Sequence, residues 1–326
     1  MLPDDTTGGG GAGTGATAPV LVPDDLKGHL SSAKVIKGIG GNPDTLLIAI
    51  SGIDTTPINA NWKREPRADV PGYVAFAVQE DPLDRLFFGL AASSVDGSTS
   101  AIVAGDGGQF NTASQGTTYA RTGAYTPPDA TGPGSGNGQV SYKGKYAGLW
   151  NGGGARNIAK DIVGRPNTVP EEVPGQAVRV TGDVFVNANF ADNQINGVIK
   201  GRVAQGVAVT NDPADPRYRD GVALQLENVV LTITDIQPNG TFSGSSNRPG
   251  IISPNKDATG KYGGVIGGAN GSSIAGSVFM DEKVYNDADT KIEGAIERGV
   301  FVLDQCGLTA TAGESCTGTA PEYTGP

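Results

Sequence analysis

The chain has 326 residues, with 51 glycines, 21 prolines, 37% hydrophobic and 18% charged residues. That balance excludes a chain built of long helices or one disordered throughout, and it fits many short strands and turns in one large or two medium domains. A formal net charge of −10 and a pI near 4.6 disfavour nucleic acid and anionic membrane surfaces as partners, and no run of about 18 apolar residues offers a membrane helix.

Residues 1–19, MLPDDTTGGGGAGTGATAP, are small, polar and of low complexity, and read as a flexible tether. A tether needs an anchor. The expectation is an exported lipoprotein in which Met1 stands where an acylated cysteine would be, on the outer membrane at the cell surface; an ordinary disordered terminus is the alternative.

Residues 20–135 read as a sheet-rich handle domain. DDLKGHLSSAKVIKG begins with one or two helical turns, and LLIAISGI, YVAFAVQ, RLFFGLAASS and TSAIVAGDGGQF have strand character. TPPDATGPGSGNG, rich in Pro, Gly and Ser, marks the boundary to a second unit.

Residues 136–305 contain eight strand-like runs: GQVSYKGKYAGLW, AVRVTGDVFVNANF, QINGVIKGRVA, GVALQLENVVLTITDI, GTFSGSS, KYGGVIGGA, SSIAGSVFMDE and IEGAIERGVFVL. Most are joined by tight turns at Asp192-Asn193, Pro238-Asn239-Gly240 and Asn270-Gly271, with longer connections after Trp150, Val203 and Ser245. Sequential antiparallel strands of this number close into an up-and-down barrel, so the fold class is all-β: a handle followed by an eight-stranded antiparallel β-barrel. In the hairpin GDVFVNANFADNQINGVIKG, the residues Val184, Val186, Ala188 and Phe190 share one face. Ile195, Gly197, Ile199 and Gly201 share a face of the returning strand. Apolar parity shifts between Leu226 and Val229, which calls for a bulge near Glu227-Asn228.

Residues 306–326 form a tail whose Cys306 and Cys316 are the only two cysteines. Their proximity and the absence of a nearby histidine favour a disulfide loop in an oxidising compartment, against a pair of free thiols.

The stretches GDVFVNANFADNQINGVI, GTFSG, YGGVIGGANGSSIAGSVF and GVFVL resemble the barrel domain of bacterial surface lipoproteins related to transferrin-binding protein B, a family that includes factor H-binding and haemophilin-like proteins. The resemblance covers Tyr142 to Leu303. It departs from the family at Gly267-Gly268 and Ser272-Ser273, where a glycine-proline pair and an acidic residue are usual. It implies a single lobe, anchored at the outer surface, that binds a host or environmental ligand, often in iron or haem capture.

Chemistry in the sequence is sparse. His29 is the only histidine, no nucleophile motif, phosphate loop or paired CxxC occurs, and the acidic pairs Asp24-Asp25, Glu171-Glu172 and Asp281-Glu282 fit solvated surface. No enzyme, cofactor or metal is expected. Two loop-like stretches concentrate arginine and aromatics: NWKREPR, with Trp62, Lys63, Arg64 and Arg67, and PRYRD, with Arg217, Tyr218 and Arg219. These are the candidate ligand-binding residues, because such side chains dominate interfaces; the plainer reading is a packed Trp62 among solvated charges. The expected function is capture of a protein or an iron- or haem-related ligand by a monomer, through handle and barrel-end loops. A structural cell-surface interaction protein and a lipocalin-like carrier of a small apolar molecule are the alternatives.

Overall fold

A computed structural model describes residues 20–36, 38, 42–51, 58–79, 85–109, 112–128, 138–151, 176–205, 223–247, 260–281, 284–285, 291–292 and 296–306. The handle opens with a single helical turn, α1 (Asp24–Lys27). A seven-stranded antiparallel sheet follows in sequence order: β1 (Leu30–Ile36), β2 (Thr45–Ile50), β3 (Ile58–Arg64), β4 (Val74–Val78), β5 (Phe87–Ser93), β6 (Thr99–Gly105) and β7 (Gln115–Arg121). The sheet curls until its first and last strands nearly meet. A single bridge joins Gly28 to Gly116, and the His29 amide donates to the Gln115 carbonyl at 3.0 Å. A Cβ at Gly116 would lie 2.4 Å from the Lys27 carbonyl oxygen, so only glycine permits that approach. The concave side is filled by Leu46, Ile48, Trp62, Phe76, Phe87 and Ile102, with the Trp62 and Phe87 ring centres 5.8 Å apart.

The runs read as strands in this half become β2, β4, β5 and β6. β1, β3 and β7 were not legible, because LSSAKVI, INANWKR and QGTTYAR interleave polar residues with few apolar ones. NWKREPR is thereby corrected from loop to strand end: Asn61 to Arg64 belong to β3, paired with β2 and β4.

The second unit comprises β8 (Gln139–Trp150), β9 (Val178–Asn189), β10 (Gln194–Gln205), β11 (Leu224–Gln225), β12 (Val229–Asp235), β13 (Thr241–Asn247), β14 (Gly260–Gly267), β15 (Ser273–Asp281), β16 (Val284–Tyr285), β17 (Lys291–Ile292) and β18 (Ile296–Gln305). β16 and β17 pair only with each other. Eight long strands run β10-β12-β13-β14-β15-β18-β8-β9, and the β9–β10 ladder from Asn189–Gln194 to Arg179–Gln205 closes the ring. This is the expected up-and-down barrel. Asn270 and Gly271 both have positive φ, 54° and 64°, within the short connection that holds the 3-10 turn Ala269–Gly271 between β14 and β15.

Parity in the opening hairpin holds as read, except at its end. Val184, Val186, Ala188, Phe190, Ile195 and Ile199 enter the core. Gly201 does not: it is exposed with φ 59°, the β9–β10 register shifts between Lys200 and Val203, and Arg202 takes the inward place. Opposite it, Leu226 and Val229 are both buried, so the two halves of that run face inward as expected. The ladder opens there, and the Asn228 side chain accepts the Gly201 amide at 3.2 Å.

Burial separates two kinds of barrel strand. β9 alternates over Val184 to Asn189, whereas β14, β15 and β18 are buried almost continuously. The outward residues Ala147, Leu149, Val265, Ala275 and Val300 pack against Phe88, Leu90, Ala101, Val103 and Tyr119 of the handle, forming one apolar layer. Polar contacts edge that layer. Tyr73 Oη donates to the Lys145 carbonyl (2.9 Å) and accepts the Val302 amide (3.1 Å). Arg298 stacks 4.3 Å from the Phe279 ring centre and donates to the Leu26 carbonyl (2.9 Å), seating α1 on the barrel wall. Cys306 follows β18, its amide donating to the Ser141 carbonyl at 2.8 Å; the expected partner Cys316 lies outside the described residues, as do residues 1–19.

At the other edge, Asp96 in the β5–β6 turn accepts hydroxyls from Ser94 (2.6 Å), Ser98 (2.6 Å) and, across the domain junction, Ser272 (2.5 Å). Burial raises this carboxyl, but those donors and the Ser98 amide outweigh it and hold the pKa at about 2. A depressed carboxylate stabilises the fold above its unfolded pKa, and the contribution disappears as pH falls through the folded value. The stability gap between the natural protein and Asp96→Asn should therefore be constant above about pH 4 and narrow between about pH 4 and pH 2. Urea denaturation of both proteins across that range checks it.

Candidate functional site

Charged side chains gather around a fixed geometry at several places among the described residues, and two of these, one outside and one inside the barrel, join distant elements. The outer one grows from the end of β3. Strand alternation sends Trp62 into the handle core, fully buried, and leaves its neighbours Asn61 and Lys63 exposed. Trp62 is thus a packing residue, and Lys63 presents the charge. Arg64 lies 5.9 Å over the Phe76 ring and forms a two-pronged ion pair with Asp69, both bonds 2.6 Å. Asp69 also accepts the Ala75 amide at 2.8 Å, which ties the loop back to β4. Burial raises the Asp69 carboxyl, but Arg64 and that amide bring it below the ordinary carboxylate range.

A 3-10 turn, Pro66–Ala68, follows, and the Glu65 carboxylate accepts the Arg67 amide at its start. Arg67 Nε reaches the same carboxylate at 2.8 Å, and this hydrogen bond holds Glu65 low. The Arg67 side chain remains 69% exposed. From the barrel, Arg179 of β9 donates to the Arg67 carbonyl at 3.4 Å and lies 6.0 Å from the Phe88 ring centre. Burial lowers the Arg179 pKa, partly offset by Asp69 and Glu65. The result is a turn clamped between handle and barrel that shows Lys63 and Arg67 to solvent.

Of the expected ligand contacts, Lys63, Arg64 and Arg67 therefore cluster on one surface, Trp62 lies beneath it, and Arg217, Tyr218 and Arg219 fall outside the described residues. Arg179 was missed. Nothing local in AVRVTGD marks it, since its role comes from a contact with a loop more than a hundred residues earlier. His29 is half-buried with Nδ1 3.3 Å from the Gln115 amide nitrogen, at the seam of the curled sheet. Among the described residues, no three His, Cys, Asp or Glu side chains cluster to hold a metal ion.

The inner place is the barrel lumen. Tyr142, Tyr146, Trp150, Phe190, Phe242, Tyr262 and Phe301 all belong to one contiguous buried cluster there. Set among them is a fully buried ion pair, Arg202 with Glu297. Glu297 also accepts the Tyr146 hydroxyl at 2.6 Å, and Arg202 donates to the Glu227 carbonyl at 2.8 Å. Gly299 leaves space for that tyrosine: a Cβ there would sit 2.0 Å from Tyr146 Oη. The sequence hid this pair, because Arg202 turns inward only through the bulge beside Gly201.

No protein-family model and no curated protein matches the chain. Among solved structures it is similar to transferrin-binding protein B. The intact, two-lobed Ap-TbpB is 12% identical, over 83% of this chain and 43% of that one, with a TM-score of 0.36. The Haemophilus parasuis protein is 10% identical over 84% and 53%, TM-score 0.37. The isotype 1 protein of serogroup B Neisseria meningitidis is 11% identical over 85% and 52%, TM-score 0.31. This chain spans about half the length of each.

Removing one partner of a buried ion pair strands the other charge, whereas removing both does not. Arg202→Met should cost about 3–5 kcal/mol by equilibrium urea denaturation, and Arg202→Met combined with Glu297→Leu should recover most of the loss.

Proposed function

We propose that this chain is a non-enzymatic binding protein of the cell surface that captures a partner through the charged turn at the handle–barrel junction. The observation that carries the reading is the contrast between the two charged places. The lumen is filled by aromatic side chains around a fully buried Arg202–Glu297 pair, while Lys63 and Arg67, the latter paired with Glu65, face solvent on a turn clamped from both sides. A ligand therefore meets the outside of the barrel and not its interior, which counts against a lipocalin-like carrier.

A rigid turn favours binding, because the groups that make contact are ordered before the partner arrives. Excess positive charge at this one place also stands against a chain of net charge −10, so an anionic patch on a partner is steered toward it. Residue resemblance in the barrel hairpins and the ligand named for the similar structures make transferrin the first protein to try, with haemin as the small-molecule counterpart.

The test is binding of the immobilised protein to iron-loaded transferrin and, separately, to haemin, at two salt concentrations. Expected is salt-sensitive binding that weakens at least about tenfold in Lys63→Glu/Arg67→Glu, with an unchanged melting transition. Equal binding by the double variant would remove the site from this turn. Failure of both probes with folded protein would remove the iron-capture reading.

A further inference from the structure

A second surface, different in chemistry from the charged turn, lies on the far wall of the barrel. On β9 the inward residues are Val184, Val186 and Ala188, so Phe185, Asn187 and Asn189 face outward. Strand register then lays out two polar rows across β8, β9 and β10. Gln139, Asn189 and Gln194 form one; Ser141, Asn187 and Asn196 form the next. Neighbours in a row are about 4.8 Å apart and the rows about 7 Å apart, from sheet geometry alone.

These rows border a groove of about 280 Å³ lined by five carboxamides, those of Gln139, Asn187, Asn189, Gln194 and Asn196, together with Ile233. Among the described residues, no ionisable side chain lines it. Ile233 is 61% exposed, brought outward where the β10–β12 register shifts between Ile195 and Gly197. Two of the amides are held in place by neighbouring groups. Asn187 Oδ1 accepts the Ser141 hydroxyl at 2.7 Å, and Asn189 accepts the Ala191 amide at 3.0 Å while donating to Asp192 at 2.6 Å. Gln139, Gln194 and Asn196 are exposed.

We propose that this groove binds a neutral oligosaccharide. A carboxamide offers an acceptor and two donors side by side, which matches adjacent sugar hydroxyls, each of them both donor and acceptor. A row of such groups on a sheet can read a chain of hydroxyls, and two of them, Asn187 and Asn189, are held in place before it binds. Ile233 supplies apolar surface for the C–H face of a sugar ring. Asp192, and Asp235 opposite Gln194, border the site and repel acidic sugars. A peptide is disfavoured along the centre of the groove, because β9 is paired there on both edges and leaves no strand edge to extend.

The experiment is an array of neutral, sialylated and sulfated oligosaccharides probed with the intact protein, followed by calorimetric titration of the strongest free glycan. Expected is retention of a neutral glycan, at least about tenfold weaker in Gln194→Ala/Asn196→Ala, which loses two hydrogen-bonding groups, and likewise weaker in Ile233→Asp. Lys63→Glu/Arg67→Glu should bind the glycan unchanged, which separates this site from the charged turn. Retention of acidic glycans alone, of none, or of a neutral glycan equally by the groove variants would overturn the proposal, as would displacement of the bound glycan by unrelated extended peptides.

Discussion

One side of the barrel's outer wall is too apolar to face water, and the rest of the molecule is arranged around covering it. Ala147, Leu149, Val265, Ala275 and Val300 point away from the lumen on strands that are also buried on their inner face. Left wet, each large aliphatic among them would forfeit about 1.5–3 kcal/mol. The handle supplies the cover, and it does so with strands of the same kind: β5 and β6 are buried over nearly their whole length, one face toward the barrel and the other toward the handle's own core. Handle and barrel are consequently three apolar layers in series, and the shared middle layer fixes how the two units sit.

That arrangement also decides where polar chemistry is tolerated. Along the margin of the shared layer, side chains reach across to carbonyls and hydroxyls of the other unit: Tyr73, Arg121, Arg298 and Ser273 each have such partners. Within the lumen the Arg202–Glu297 ion pair is enclosed by aromatic rings, so each charge depends on the other and any loss on one side leaves a charge without solvent. Away from the handle, β9 and β10 alternate between lumen and water, and beside the hairpin that joins them their outward positions carry amides. Recognition surfaces are left to the uncovered wall and to the turn at the junction.

Much of the barrel was legible because its strands obey a period of two and its turns use residues that tolerate positive φ. Val184, Val186 and Ala188 announce their face without any knowledge of neighbours, and Asn270-Gly271 announces its turn. The candidate site was legible only in part. Lys63, Arg64 and Arg67 are adjacent in sequence and stay together in space, but the same stretch reads as a loop until β2 and β4 pair with it. Asp69 and Arg179, which hold the turn in shape, come from five residues later and from the other unit.

By itself the sequence determined the all-β class, the number and order of the barrel strands and the tight hairpin turns, since each depends on local alternation and local backbone preference. Tertiary structure alone decided that Trp62 is core, that Arg202 points inward to Glu297, and which barrel strands are covered. These outcomes depend on register and on contacts between residues far apart in the chain: one bulge beside Gly201 reverses the face of every residue after it, and no local pattern encodes the partner that will be waiting there.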